Sequence, residues 1–158
     1  MNDFLETKLI SLKIDRNLSK NKTLANYKPF ILSNNFVFIS GQLPLTNQGI
    51  RYTGKIKKDT NLTLLQSAVE LTTSNLLWNL CDCVKENDTI IKKIKCCSLK
   101  GYFNCEDGFP DHPKILNFSS DLIVKVLGEE GYHSRVAIGV SSLPLNSLVE
   151  IEAIFSIS

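Results

Sequence analysis

Residues 134–157 read SRVAIGVSSLPLNSLVEIEAIFSI, two apolar runs on either side of a loop. Apolar residues alternate with small, polar or charged residues along both runs, as expected for two strands that each bury one face. The alternation places Val136 and Val149 on the buried faces, and Arg135 and Glu150 on the opposite faces. If the runs pair as an antiparallel hairpin with Val136 opposite Val149, Arg135 and Glu150 become cross-strand neighbours.

The face that carries Arg135 also carries two small residues, Ala137 and Gly139. Small side chains leave room for a ligand that larger residues would displace. A guanidinium binds a carboxylate through two parallel charge-assisted hydrogen bonds, so this face suits a small carboxylate ligand. A structural ion pair between Arg135 and Glu150 at a subunit contact fits the same residues, and periodicity does not decide between the two.

The rest of the chain predicts two long helices and three further strands. Helix signals are a capping-box pattern at residues 63–66 and the glycines at the end of the second helix. In chain order, we expect a short helix within 3–12, strands at 27–32 and 36–40, a helix at 63–83, a strand at 90–103, a helix at 112–127, and strands at 134–140 and 148–157.

This order predicts a single α+β domain over residues 1–158, with residues 1–23 as an N-terminal extension. The expected architecture is one mixed β-sheet with two helices packed on one face. The other face of such a sheet needs a cover. In a protein of 158 residues that cover is usually another subunit.

Composition excludes several classes of protein. Hydrophobic residues make up 43% and charged residues 22% of the chain, as in folded globular proteins, and the net charge is only +2. No apolar stretch is long enough to span a membrane and the N-terminus lacks the pattern of a secretory signal, so we expect a cytoplasmic protein with no membrane partner. The five cysteines are an odd number without zinc-site spacing, so we expect neither a disulfide framework nor a metal site.

A basic run comprises Lys92, Lys93, Lys95 and Lys100. It lies without an aromatic stacking platform or a pair of histidines poised for RNA cleavage. We interpret it as a solvated surface and do not expect a nucleic-acid partner.

Four motifs carry a family resemblance: SGQLP at 40–44, GYFN at 101–104, RVAIGV at 135–140, and LP at 143–144 followed by VEIEAI at 149–154. In this order the chain resembles the Rid family, the YjgF-like reactive intermediate deaminases, also labelled L-PSP endoribonuclease-like. The resemblance covers about residues 24–157. The GYFN motif and the long connection before Arg135 are closer to a longer-chain branch. The resemblance implies a homotrimer with a chorismate-mutase-like fold and ligand clefts between subunits.

The resemblance also implies site residues and a reaction. Arg135 would bind the substrate carboxylate and Glu150 would orient the attacking water, while Ala137 stands where archetypal members often carry cysteine. The remaining substrate-binding residues would be Tyr27, Ser40, Gly41 and Asn104. The implied reaction is the hydrolysis of a 2-imino acid to a 2-keto acid and ammonia, without a cofactor. Two alternatives remain: a trimer that binds a small carboxylate without catalysis, and an endoribonuclease.

Overall fold

Five strands form one mixed sheet in the computed structural model, which describes residues 3–19, 26–87 and 91–158. The strands are β1 (Phe30–Ser33), β2 (Phe36–Gln42), β5 (Ile94–Asn104), β6 (Ser134–Val140) and β7 (Val149–Ile157), and a short β3 (Leu45–Thr46) pairs separately with β4 (Gly49–Ile50). The sheet order is β1-β2-β7-β5-β6. Strands β5 and β6 run parallel, and the other neighbours run antiparallel. The expected α+β fold with one mixed sheet is confirmed.

Two long helices cover one face of the sheet. They are α2 (Leu62–Glu86) and α3 (His112–Leu127), and a shorter α1 (Phe4–Ser11) packs on α2. Leu99 and Phe155 from the sheet and Leu76 and Leu116 from the helices are fully buried in one core. Each such side chain stabilises the fold by about 1.5–3 kcal/mol through removal of apolar surface from water.

The helix bounds agree closely with the sequence prediction. The predicted bounds of α3 are confirmed, and Gly128, with φ of 63°, begins a 3₁₀ turn that ends at Gly131. The capping-box start of α2 is wrong. Asn61 caps the helix by accepting a hydrogen bond from the Leu64 amide at 3.1 Å, and Thr63 already lies inside it.

The N-terminal extension contributes one helix to the same layer. The short helix expected within residues 3–12 is α1, whose Leu5 and Leu9 are buried. Residues 1–2 and 20–23 of the predicted extension lie outside the described residues.

The predicted hairpin between the last two strands is wrong. Strand β5 lies between β6 and β7, with Leu99 opposite Arg135 on one side and Tyr102 opposite Glu150 on the other. Arg135 and Glu150 are therefore not cross-strand neighbours. Alternation indicates which face a residue occupies, but it does not indicate which strand lies beside it.

The predicted face of β6 is also wrong. Arg135 pairs with Leu99, which is fully buried on the helix side, and a Cβ on Gly139 would overlap His112 at the start of α3. Arg135, Ala137 and Gly139 do share a face, but that face is turned toward α3. The reason is that β6 is an edge strand whose apolar Val136 is 42% exposed on the opposite side.

The side of the sheet away from the helices, called the open face below, carries exposed apolar side chains on β2 and on β6. Phe36 and Phe38 on β2, and Val136 and Ile138 on β6, are 41–46% exposed. Exposed apolar side chains on a sheet face that no helix covers favour an interface there. Within the described residues, no helix is long and apolar enough to cross a membrane.

Candidate functional site

Arg135 lies on the edge strand β6 and reaches over α3. Its Nη1 donates to Ser120 Oγ at 3.1 Å and its Nη2 donates to the Pro113 carbonyl at 3.5 Å. Among residues 3–19, 26–87 and 91–158, no carboxylate pairs with this exposed guanidinium. A cation that is held only by neutral acceptors keeps its charge available for an anionic ligand.

Small residues next to Arg135 allow the close approach of α3. A Cβ on Gly139 would overlap His112 Nε2 and would lie 2.7 Å from Cys105 Sγ. Only glycine therefore fits at this position. Ala137 lies between Arg135 and Gly139 on the same face and packs against the core.

Cys105 and His112 form a second contact in this region. The thiol Sγ lies 3.6 Å from His112 Nε2, beside a cavity of about 250 Å³ that is also lined by Phe109 and Gly139. Burial raises the pKa of the Cys105 thiol, which favours the protonated form. This agrees with the interpretation of the cysteine as a small buried hydrophobic residue.

His133 contacts the same hydroxyl group as Arg135. Its Nε2 lies 3.0 Å from Ser120 Oγ, and its Nδ1 lies 2.6 Å from the Gly131 carbonyl oxygen. The sequence interpretation missed both Ser120 and His133. The available signal was spacing, because His133 precedes Arg135 by two residues and alternation along β6 places the two on one face.

Glu150 lies on the open face of the sheet, away from α3. Its carboxylate is half-buried against Gly41, where a Cβ would overlap Oε1. Burial, with a smaller effect from the charge of Glu152, raises the pKa of Glu150. Glu152 itself binds Lys100 Nζ at 2.7 Å. Within the described part of the chain, Glu150 has neither a hydrogen-bond nor an ion-pair partner.

Ser40 fixes the segment that carries Tyr27. Its hydroxyl donates to the Lys28 carbonyl at 2.7 Å, and its amide donates to the Pro29 carbonyl at 3.0 Å. Tyr27 is 50% exposed. These contacts connect Tyr27 through Ser40 to Gly41, which Glu150 touches.

Asn104 is buried and hydrogen-bonded to loop residues of its own chain. Its buried amide donates to the Gly54 carbonyl at 2.8 Å and accepts from Lys55 Nζ at 3.1 Å, with a longer contact of 3.4 Å to Asn146. Asn104 thus holds two loops together. Its role as a substrate-binding residue stays a prediction, and it lies apart from the two groups described next.

The sequence-predicted residues fall into two groups within one chain. The Arg135 group contains Arg135 and Ala137 on the helix side of β6, and the Glu150 group contains Glu150, Gly41, Ser40 and Tyr27 on the β2–β7 side. Strands β7 and β6 are two strand spacings apart, or about 10 Å, and the two side chains point to opposite faces. One copy of the chain does not bring Arg135 and Glu150 together.

Comparison with known proteins shows which protein family and which individual proteins the chain is similar to. A family model described as YjgF/chorismate mutase-like, "putative endoribonuclease", matches residues 6–156. Protein Atu1372 of Agrobacterium tumefaciens, of unknown function, is 34% identical, with a TM-score of 0.80 over 99% of this chain and 96% of that one. Protein TCP17 of Trypanosoma cruzi is 29% identical over 134 residues, which are 84% of this chain and 82% of that protein.

A more distant structure shares the fold alone. It is E. coli TdcF with bound serine, 20% identical, with a TM-score of 0.56 over 86% of this chain and 91% of that one. The family model covers nearly the whole sequence, including all four motifs. The chain therefore belongs to the YjgF/chorismate mutase-like family, the Rid group of the sequence-based resemblance.

Proposed function

We propose that the protein hydrolyses small 2-imino acids to 2-keto acids and ammonia, in a cleft that two copies of the chain form within a homotrimer. The observation that carries this proposal is the Arg135 guanidinium, which is exposed, held by two neutral acceptors, and unpaired with any carboxylate of the described residues. Such a group binds a carboxylate ligand without first breaking an ion pair.

The separation of the Arg135 and Glu150 groups supports a cleft between copies. A cyclic trimer has head-to-tail contacts, in which one surface of a subunit meets a different surface of the next. Such a contact would bring the β6 edge of one copy to the β2–β7 face of another. The exposed Phe36, Phe38, Val136 and Ile138 supply apolar surface for the association.

The reaction needs a bound imine, a water and one proton-transferring group. Arg135 would hold the carboxylate, and Glu150 of another copy would take a proton from water as the oxygen attacks the imine carbon. Glu150 would return that proton to the nitrogen, which gives a neutral carbinolamine. Transfer of the carbinolamine hydroxyl proton to the nitrogen, as the C–N bond breaks, would then release ammonia and leave the keto acid. Atoms balance, because one imine and one water give one keto acid and one ammonia.

The environment of Glu150 suits proton transfer. Its pKa is raised by burial first and by the charge of Glu152 second, which brings it nearer to neutral pH. A carboxylate without a hydrogen-bond partner among the described residues is also free to orient a water molecule. The bound serine in the distant E. coli TdcF agrees with a small ligand that carries a carboxylate.

All five cysteines are free thiols, which fits a reducing compartment such as the cytoplasm.

The direct test is turnover. An amino-acid oxidase releases a 2-imino acid in situ, semicarbazide traps the imine that remains, and the fall in trapped product on addition of the protein measures hydrolysis. We expect a concentration-dependent fall. Binding of 2-oxobutanoate by calorimetry without any turnover would instead identify a carboxylate-binding trimer and would refute the enzymatic proposal.

Incubation with a labelled RNA tests the ribonuclease description of the family. Two lysines of the basic run are neutralised in the structure, since Lys93 binds Glu130 and Lys100 binds Glu152, each at 2.7 Å. We therefore expect no cleavage and no salt-dependent RNA affinity. RNA cleavage that persists in the Arg135→Ala variant would contradict our assignment.

A further inference from the structure

A directed chain of hydrogen bonds runs from Arg135 through Ser120 and His133 to the backbone of the 3₁₀ turn. Arg135 Nη1 lies 3.1 Å from Ser120 Oγ, Ser120 Oγ lies 3.0 Å from His133 Nε2, and His133 Nδ1 lies 2.6 Å from the Gly131 carbonyl oxygen. Three elements contribute, because Ser120 is on α3, Gly131 ends the 3₁₀ turn and Arg135 is on β6.

Hydrogen-bond chemistry fixes the direction of each bond for a neutral His133. The Gly131 carbonyl oxygen can only accept, so His133 Nδ1 carries the proton. His133 Nε2 is then an acceptor, and the Ser120 hydroxyl must donate to it. The oxygen lone pairs of Ser120 remain for Arg135 Nη1, which can only donate. Bonds that donate in one direction polarise and strengthen one another.

We propose that Ser120 and His133 are positioning residues, which hold the Arg135 guanidinium in the orientation that receives the substrate carboxylate. The identity of that ligand rests on the proposed function. The orientation rests on the bonds above and on the second contact, from Arg135 Nη2 to the Pro113 carbonyl. An exposed arginine without such contacts would lose rotamer freedom on binding, which costs affinity.

The choice of neutral acceptors matters as much as the orientation. A guanidinium has five N–H donors, and the two bonds to Ser120 and Pro113 leave about three for a ligand. An acidic residue at position 120 would orient Arg135 equally well but would also neutralise it. A serine that histidine polarises orients the guanidinium and leaves its charge free.

Four variants separate this role from a merely structural one. Ser120→Ala removes the acceptor, and Ser120→Asp supplies a competing carboxylate. His133→Gln keeps an acceptor near the position of Nε2, while His133→Asn reaches only the position of Nδ1. The control is Ser67→Ala on α2, whose hydroxyl bonds the Thr63 carbonyl of its own helix and no other group of the described residues.

Steady-state kinetics with an imino acid should show a rise in KM, because the lost interaction acts on carboxylate binding before and during the reaction. We expect KM to rise about tenfold in Ser120→Ala and His133→Asn, more in Ser120→Asp, and little in His133→Gln or Ser67→Ala, with kcat within about twofold throughout. Unchanged KM in Ser120→Ala and His133→Asn would overturn the proposal. Equal losses in His133→Gln and His133→Asn would also overturn it.

Two readouts do not depend on turnover. Calorimetric affinity for 2-oxobutanoate should fall in the same order as KM rises, and ¹⁵N spectra should show the Nδ1-protonated tautomer of His133. If the wild type binds 2-oxobutanoate without hydrolysing an imine and Ser120→Ala weakens binding, the enzymatic proposal fails and the positioning role stands. If the wild type binds no 2-keto acid, or if His133 is the Nε2-protonated tautomer, the positioning role is wrong.

Discussion

Replacement of Arg135 by alanine isolates the group on which the proposed function depends. The side chain is exposed and its protein contacts are two hydrogen bonds to neutral acceptors, so its removal leaves no buried charge and no core cavity. We expect the free energy of unfolding to change by less than about 1 kcal/mol, as for other surface substitutions. The loss of activity should therefore report binding and catalysis, with folding intact.

The size of the loss follows from the bonds that a carboxylate would make. A hydrogen bond to a charged group contributes about 1.5–3 kcal/mol, so a bidentate pair contributes about 3–6 kcal/mol. At about 1.36 kcal/mol for each factor of ten, kcat/KM should fall by about 10²–10⁴-fold. Arg135→Lys keeps the charge but loses the planar pair of donors, so it should lie between the wild type and the alanine variant.

The assay is the competition between the protein and semicarbazide for an imino acid that an oxidase releases. Arg51→Ala is the matched control, because Arg51 is another exposed arginine, and its guanidinium lies 5.8 Å from the ring centroid of Tyr52. Thermal unfolding confirms that each variant is folded. Wild-type activity in a folded Arg135→Ala protein would refute the assignment of the carboxylate-binding group.

Three further predictions concern the rest of the site. The folded state raises the pKa of Glu150 above its ordinary value of 4.5, so the free energy of unfolding should fall as the pH rises from 4.5 to the raised pKa. Melting curves should show Glu150→Gln more stable than the wild type above the raised pKa and equally stable below pH 4.5. Gly139→Ala should destabilise the fold by about 1–3 kcal/mol in denaturant titrations, since its Cβ would overlap His112 Nε2, and an unchanged midpoint would contradict this contact. Phe38→Glu should convert the trimer to monomers in size-exclusion chromatography with light scattering; a trimer that persists would show that the open face is not the interface.

Much of the fold could be predicted from local sequence. The helix at 112–127 has a continuous apolar stripe and a glycine stop, and its predicted bounds are confirmed. The alternation of β7 is also confirmed, since Val149, Ile151 and Phe155 are buried while Glu150 faces the other side. In both elements a single apolar face meets a single core, so periodicity reports burial directly.

The errors arose in elements that do not present a single apolar face to a single core. Strand β6 is an edge strand that carries apolar Val136 and Ile138 on the open face and Arg135 toward α3, so its apolar residues do not mark its helix side. Strand neighbours depend on long-range pairing, which alternation does not record. The position of β5 between β6 and β7 therefore required the structure.

The composition of the site was predicted in part. Arg135 and its small neighbour Ala137 do share one face, and Glu150 does contact Gly41 from the SGQLP motif. The sequence could not show that Arg135 and Glu150 lie on opposite faces of the sheet in one chain, because that depends on how the strands pair. Ser120 carries no motif and is identified by its bond to Arg135, whereas the spacing of His133 from Arg135 was the one sequence signal for that histidine.

The claim that Arg135 and Glu150 act from different copies can be tested by mixing two inactive variants. Arg135→Ala and Glu150→Gln are unfolded together, refolded as mixed oligomers, and assayed beside each variant refolded alone. In a randomly mixed cyclic trimer of equal parts, about one quarter of the clefts would receive both an intact arginine and an intact glutamate. We predict recovery of about a quarter of wild-type imine hydrolysis; mixed trimers that stay as inactive as the separate variants would contradict the account.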